Sequence, residues 1–138
     1  MPTARFGVSI EDGLLRRFDR LLGEKGYQSR SEAIRDLIRD VLVSEQWDEG
    51  TMETAGTITL VYSHDTRELT ERLTDLQHRH HAAILSTMHL HLDGHTCLEV
   101  LVVKGKGSEI RKVADRLIGT KGVIHGKLSL ATTGKEIG

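Results

Sequence analysis

Residues 1–46 narrow the fold most. They carry the pattern of one short strand and two amphipathic helices, with nothing else in the segment to cover their apolar sides. Phe6, Val8 and Ile10 alternate with Arg5, Gly7 and Ser9, the period of two that gives a strand one apolar face. Residues 11–24 then place Leu14, Leu15, Phe18, Leu21 and Leu22 at helical spacing, and Gly26 predicts the stop. Ser29 and Glu32 have the spacing of a capping box, followed by Ala33, Ile34, Leu37, Ile38, Val41 and Leu42 along one stripe. So small a unit cannot bury these stripes alone, so a second copy must supply the other half. Two such strands paired about a twofold axis make an antiparallel ribbon that fits the DNA major groove, with Arg5, Gly7 and Ser9 facing base edges. A module serving dimerisation alone is the bland alternative.

Composition neither announces nor excludes a nucleic-acid partner. The net charge is -1, and residues 1–45 balance eight Lys/Arg against eight Asp/Glu, so DNA binding has to come from placement rather than bulk charge. The single cysteine excludes an internal disulfide framework and fits a reducing compartment. No apolar run approaches membrane length and no signal-peptide pattern opens the chain, so a cytoplasmic protein without a membrane partner is expected.

Residues 44–56 contain Glu45, Asp48, Glu49 and Glu53 without Lys or Arg, and residues 47–56 are expected to form an acidic linker. From Thr57 the pattern runs strand (57–63), helix (66–80), strand (83–92), strand (96–104), helix (108–120), strand (122–132). That order predicts a ferredoxin-like βαββαβ domain over 57–133, followed by a short tail at 134–138 and giving an α+β chain overall. The central strands are apolar on both faces, with Ile84, Met88 and Leu90 alternating with Leu85. Helices cover only one face, so the other is expected to meet another subunit. Gly105, Lys106 and Gly107 lack the spacing of a phosphate-binding loop and predict a turn feeding a helix.

His89, His91 and Cys97 gather two imidazoles and a thiol within nine residues, a donor set for a transition metal. His89 and His91 share a strand face. Cys97 joins them only if the intervening turn allows it. A two-residue turn at Asp93 and Gly94 turns the thiol away, whereas a three-residue loop over Asp93, Gly94 and His95, or a longer loop that preserves the register, sets Cys97 opposite His91. The fourth donor is open among His64, His78, His80, His81 and His95.

Two resemblances are carried by these residues. Val8-Ser9-Ile10, Leu14-Leu15 and the run Arg30-Ser31-Glu32-Ala33-Ile34-Arg35 resemble the ribbon-helix-helix DNA-binding domain, which implies a phosphate held by Ser29, Arg30 and Ser31 at the amino end of the second helix. Together with Gln77-His78-Arg79-His80-His81, Met88-His89-Leu90-His91 and Cys97-Leu98-Glu99, nearly the whole chain resembles the nickel-responsive regulators, the NikR family. Gly7 and Arg79 depart from the family's usual residues, an outward polar side chain and an unbroken histidine run.

What the resemblance implies is a homotetramer, a dimer of dimers, built of ACT-like ferredoxin domains with ribbon-helix-helix heads. It implies one Ni(2+) per subunit, bound by His89, His91 and Cys97 of one chain and His78 of a neighbour. It also implies binding to a palindromic operator in double-stranded DNA and repression of nickel-uptake genes. Glu32 and Asp36, four apart on one helix face, could accept a hard cation, and the resemblance implies such an accessory site. Two other readings remain. A metal-dependent enzyme would need an open coordination position and Glu99 as its acid or base; the alternative is a regulator whose ACT-type domain senses an amino acid. Four protein donors leave little room for substrate, so no catalysis is expected.

Overall fold

A computed structural model describes residues 2–66 and 68–137 and divides into two compact units at Asp40/Val41. In the first, α1 (Asp12–Lys25) ends where Gly26 adopts a left-handed φ of 81° and its N–H, with that of Tyr27, reaches back to the last turn. In α2 (Arg30–Glu49) the first turn is capped by Ser29, whose Oγ accepts the Glu32 N–H at 3.2 Å. Leu22 and Ala33 are buried, whereas Phe6, Val8 and Ile10 are exposed.

Residues 2–10 form no strand in the single chain, unlike the sequence expectation. Among the described residues no strand pairs with 2–10, and an extended segment without a ladder partner is not a strand.

The second unit follows the predicted order, with β1 and β3 longer than expected and β2 and β4 shorter. It contains β1 (Glu53–Ser63), α3 (Leu69–Arg79), β2 (Ile84–His91), β3 (Thr96–Lys106), α4 (Gly107–Ile118) and β4 (Val123–Leu130). The sheet order is β2-β3-β1-β4 with antiparallel neighbours, the ferredoxin-like arrangement. Ile58, Leu60 and Tyr62 of β1 and Cys97, Leu101 and Val103 of β3 point at Leu69 and Leu73 of α3 and at Ile110, Val113 and Leu117 of α4. Each such burial stabilises by about 1.5–3 kcal/mol before entropy is subtracted. The opposite sheet face lacks this cover: Met88, Leu90 and Val102 remain 59%, 48% and 39% exposed.

The expected acidic linker is not a loop. α2 continues to Glu49, β1 begins at Glu53, and Trp47 is 1% exposed within the core. Trp47 donates its Nε1–H to the Ala131 carbonyl at 3.0 Å, and its ring packs against Gly56 and Gly107. The apolar anchor overrides the acidic composition, whose carboxylates face water or a cation, as Asp48 does toward Arg111 at 3.8 Å.

A second departure lies at the start of β2. Ile84 pairs with Val103 but Ser86 pairs with Val102, so Leu85 is an extra, bulged residue. Ile84 consequently faces the helices together with Thr87, His89 and His91, rather than sharing a face with Met88 and Leu90 as simple alternation predicts.

Candidate functional site

The β2–β3 hairpin assembles the donors. Its register pairs Leu90 with Leu98 and His91 with Cys97, leaving Asp93, Gly94 and His95 as a three-residue loop closed by the Leu92 N–H on the Thr96 carbonyl at 2.8 Å. Asp93 Oδ1 fixes this loop by accepting the N–H groups of His95 and Thr96, both at 2.8 Å. Those two donors, His95 first, hold the Asp93 carboxyl below the usual carboxylate range.

Cys97 is fully buried and His91 exposed beside it, with His91 Nδ1 3.5 Å from Cys97 Sγ. The His89 ring stands beside that of His91, centroids 5.4 Å apart and planes 35° from parallel. His64, just past β1, brings its Nδ1 to 3.3 Å from the same sulfur. Among the described residues, His64, His91 and Cys97 offer donor atoms all within 4.8 Å of one another. His89 stands next to this set, and His78 is exposed in the last turn of α3, outside it.

Burial pushes the Cys97 thiol up, reinforced by the charges of Glu99, Asp65 and Asp93. The sulfur of the free chain is therefore a neutral thiol at neutral pH. Asp65 complements it: its Oδ1 lies 3.4 Å from His64 Nε2 and its Oδ2 2.6 Å from His95 Nδ1. A proton on His64 Nε2 leaves Nδ1 free to accept from the thiol. Two imidazoles turned on a buried sulfur, with a third alongside, fit a borderline-soft divalent ion such as nickel.

Glu99 is the buried polar node behind the donors. Oε1 accepts from Tyr62 Oη at 2.8 Å, while Oε2 accepts from Gln77 Nε2 and Thr87 Oγ1, each at 2.9 Å. These bonds join β1, α3, β2 and β3. Burial first, and the bond to Glu99 second, push the Tyr62 hydroxyl's pKa up. Sequence reasoning treated Glu99 only as a possible acid or base. Its inward parity with Cys97, Leu101 and Val103 was the signal that it is a buried structural acceptor.

In the first unit, Arg5, Gly7 and Ser9 are exposed. Ser29 and Ser31 are exposed at the start of α2, while Arg30 is engaged by Asp19 through two bonds of 2.9 and 2.7 Å. The guanidinium holds the Asp19 carboxyl low, so an incoming phosphate has to compete with it. Glu32 and Asp36 are both exposed; Asp36 accepts from Tyr27 Oη at 2.7 Å and lies 3.7 Å from Arg39.

Comparison with known proteins agrees with this division. The family described as NikR C terminal nickel binding domain matches residues 55–131, and that of ribbon-helix-helix proteins of the copG family matches residues 4–44. A protein of Geobacter metallireducens named as a nickel-responsive regulator is 59% identical over 135 residues, covering 98% of this chain and 97% of its own. One so named from Thermococcus onnurineus is 55% identical over 137 residues, covering 99% of each chain. No helix among the described residues is long and apolar enough to cross a membrane. With a ribbon-helix-helix match over residues 4–44, a nickel-binding-domain match over residues 55–131 and relatives so named along nearly its whole length, the chain belongs to the family of nickel-responsive transcription regulators, which are not enzymes.

Proposed function

We propose that this chain is a nickel-dependent DNA-binding regulator that works as a homotetramer, a dimer of dimers. The observation that carries the reading is the register of the β2–β3 hairpin, which brings His91 and Cys97 together on the face that also carries His89. In this reading His89, His91 and Cys97 of one chain and His78 of a neighbour hold one Ni(2+) per subunit. Bound nickel supplies a coordination link between two chains.

The chain's own residues relay what happens at that link. Gln77 is bonded to Glu99 and sits next to His78, so the end of α3 is tied to the strands that carry the hairpin donors. Met88, Leu90 and Val102 on the uncovered sheet face bury against a second copy, which removes apolar surface from water. In the heads, the 2–10 segments of two chains pair as a ribbon. Arg5, Gly7 and Ser9 then read base edges of a palindromic operator, and Ser29, Arg30 and Ser31 hold phosphates. Glu32 and Asp36 form an accessory site for a hard cation, in competition with Tyr27 and Arg39.

Metal occupancy shifts the heads only as far as it prefers their DNA-competent arrangement, and operator DNA must tighten nickel binding by the same factor. The regulated genes in this reading are those of nickel uptake, repressed when nickel is plentiful, and the compartment is the cytoplasm, where DNA and a reduced thiol coexist.

The experiment is retardation of genomic fragments by the full chain with nickel, zinc, copper or chelator, alongside its sedimentation. Nickel-dependent retardation by a tetramer is expected. Retardation that is indifferent to chelator, or a nickel affinity unchanged by operator, overturns the reading.

A further inference from the structure

We propose that the second unit carries a separate site for a small polyanion, in a hollow of about 390 Å³ between the end of α3, the end of β3 and one face of α4. Its volume is within the range of small-molecule pockets, roughly 300–1,000 Å³. This inference goes beyond the nickel reading and does not depend on it.

The charge in the hollow is one-sided. Arg79, Lys104, Lys112 and Arg116 line it as permanent cations, against only Glu53 and Glu109. Glu53 is taken up by Lys104, at 3.5 Å. Among the described residues, no carboxylate lies within ion-pair distance of Arg79, Lys112 or Arg116. The Arg116 guanidinium instead approaches His80 Nε2, at 3.4 Å. A guanidinium only donates, and a ring nitrogen brings it no carboxylate to offset its charge.

Three elements bring these cations to one concave surface. Arg79 and His80 close α3, Lys104 leaves β3, and Lys112 and Arg116 lie four apart on α4, hence on one helix face. Like charges held this closely repel, and the arrangement gains most from a ligand bearing negative oxygens at both ends.

The walls also limit what the ligand carries. Apart from the cations, they are Ala82, Ala83, Gly105 and Val113, with no aromatic ring on which a base could stack besides the His80 imidazole, already engaged by Arg116. A ring-free polycarboxylate or polyphosphate fits this chemistry; a nucleotide does not. A hollow lined from three elements suits a free molecule better than duplex DNA, whose phosphates lie on a convex backbone. Since His78 lies in the same turn as Arg79 and His80, occupancy would also stiffen that end of α3.

The test is calorimetric titration of the metal-free full chain with citrate and, separately, inorganic pyrophosphate, each at ionic strength fixed with KCl. Saturable binding of at least one anion is expected, weakened about tenfold or more in Lys112→Ala/Arg116→Ala. Unchanged binding is expected in Asp115→Asn, on the same helix outside the hollow. Thermal melts check that the variants fold. Citrate saturation assigns carboxylate chemistry to the ligand, and pyrophosphate saturation assigns phosphate. Absence of saturation by both anions, equal affinity in the double variant, or operator affinity lost in that variant while anion binding stays intact, overturns the proposal.

Discussion

His91 stands directly across the hairpin from Cys97, with its Nδ1 3.5 Å from the buried sulfur. The pair depends on a loop of three residues. Cys97→Ser keeps the volume but replaces a soft donor with a hard one, and His91→Ala removes its partner. Both variants are expected to lose nickel affinity by about two orders of magnitude or more. Cys97→Ser should also lose the near-ultraviolet thiolate-to-metal absorption. Retention of that band in Cys97→Ser would exclude the sulfur as donor.

His64 and His78 make opposite predictions about the fourth donor. His64 lies 3.3 Å from Cys97 Sγ in the same chain, whereas His78 stands apart at the end of α3. If the fourth donor comes from a neighbour, His78→Ala abolishes tight nickel binding and His64→Ala weakens it only severalfold. Metal titration of the two variants decides the matter, and the reverse ranking would place all donors on one chain.

Glu99 takes three hydrogen bonds in the interior, so its removal strands three donors. Glu99→Ala is expected to cost about 2–3 kcal/mol, lowering the melting temperature of a unit this size by roughly 10 °C. Because Gln77 loses its anchor beside His78, nickel affinity should fall in parallel. Tyr62→Phe removes only one of the three bonds and should cost about 1 kcal/mol. A Glu99→Ala protein with unchanged melting would show that the node is energetically idle.

Asp93 makes the hairpin loop acid-sensitive. Bonds from the His95 and Thr96 N–H groups depress its folded pKa, so its stabilisation is present above the unfolded value of about 4 and is lost as pH falls through the lower folded value. The protection of the His95 and Thr96 amides against exchange, measured relative to the intrinsic rate at each pH, should fall in that acid window and be low at every pH in Asp93→Ala. Asp93→Asn retains an acceptor oxygen and should remove most of the pH dependence. Protection that ignores pH in the unaltered chain would contradict this.

Gly56 leaves no room for a side chain. A Cβ there would lie 2.6 Å from the Ser129 carbonyl oxygen and 3.3 Å from the Trp47 ring. Gly56→Ala should therefore destabilise by about 1–3 kcal/mol, with Trp47 fluorescence reporting the shift. Gly94→Ala, where a Cβ meets nothing within 4 Å, is the matched control.

Much of this was legible because short-range rules decided it. Ser29 and Glu32 announce a helix start, Gly26 a stop, and the His/Cys spacing constrains the turn before the register is seen. The linker expectation over 47–56 fails at Trp47 because acidic residues surround it, and because it and Val43, four positions before it, lie off the stripe of Ala33 to Leu42 on a face of their own that packs in the core. The proximity of His64 to Cys97 follows from β1–β3 pairing, which sets Tyr62 against Cys97, a long-range register that periodicity does not give. Residues 2–10 show the converse: the alternation is present, but no strand among the described residues pairs with it.

The bulge at Leu85 makes the hairpin that carries His89, His91 and Cys97 intolerant of changes in length. It lets a greasy foot, Ile84, and the imidazoles of His89 and His91 point the same way, although they lie five and seven positions on and simple alternation would put them on the opposite face. Excise Leu85 and the strand must choose between planting that foot in the core and presenting its rings to the sulfur. One residue that touches no donor thus keeps count for the whole centre.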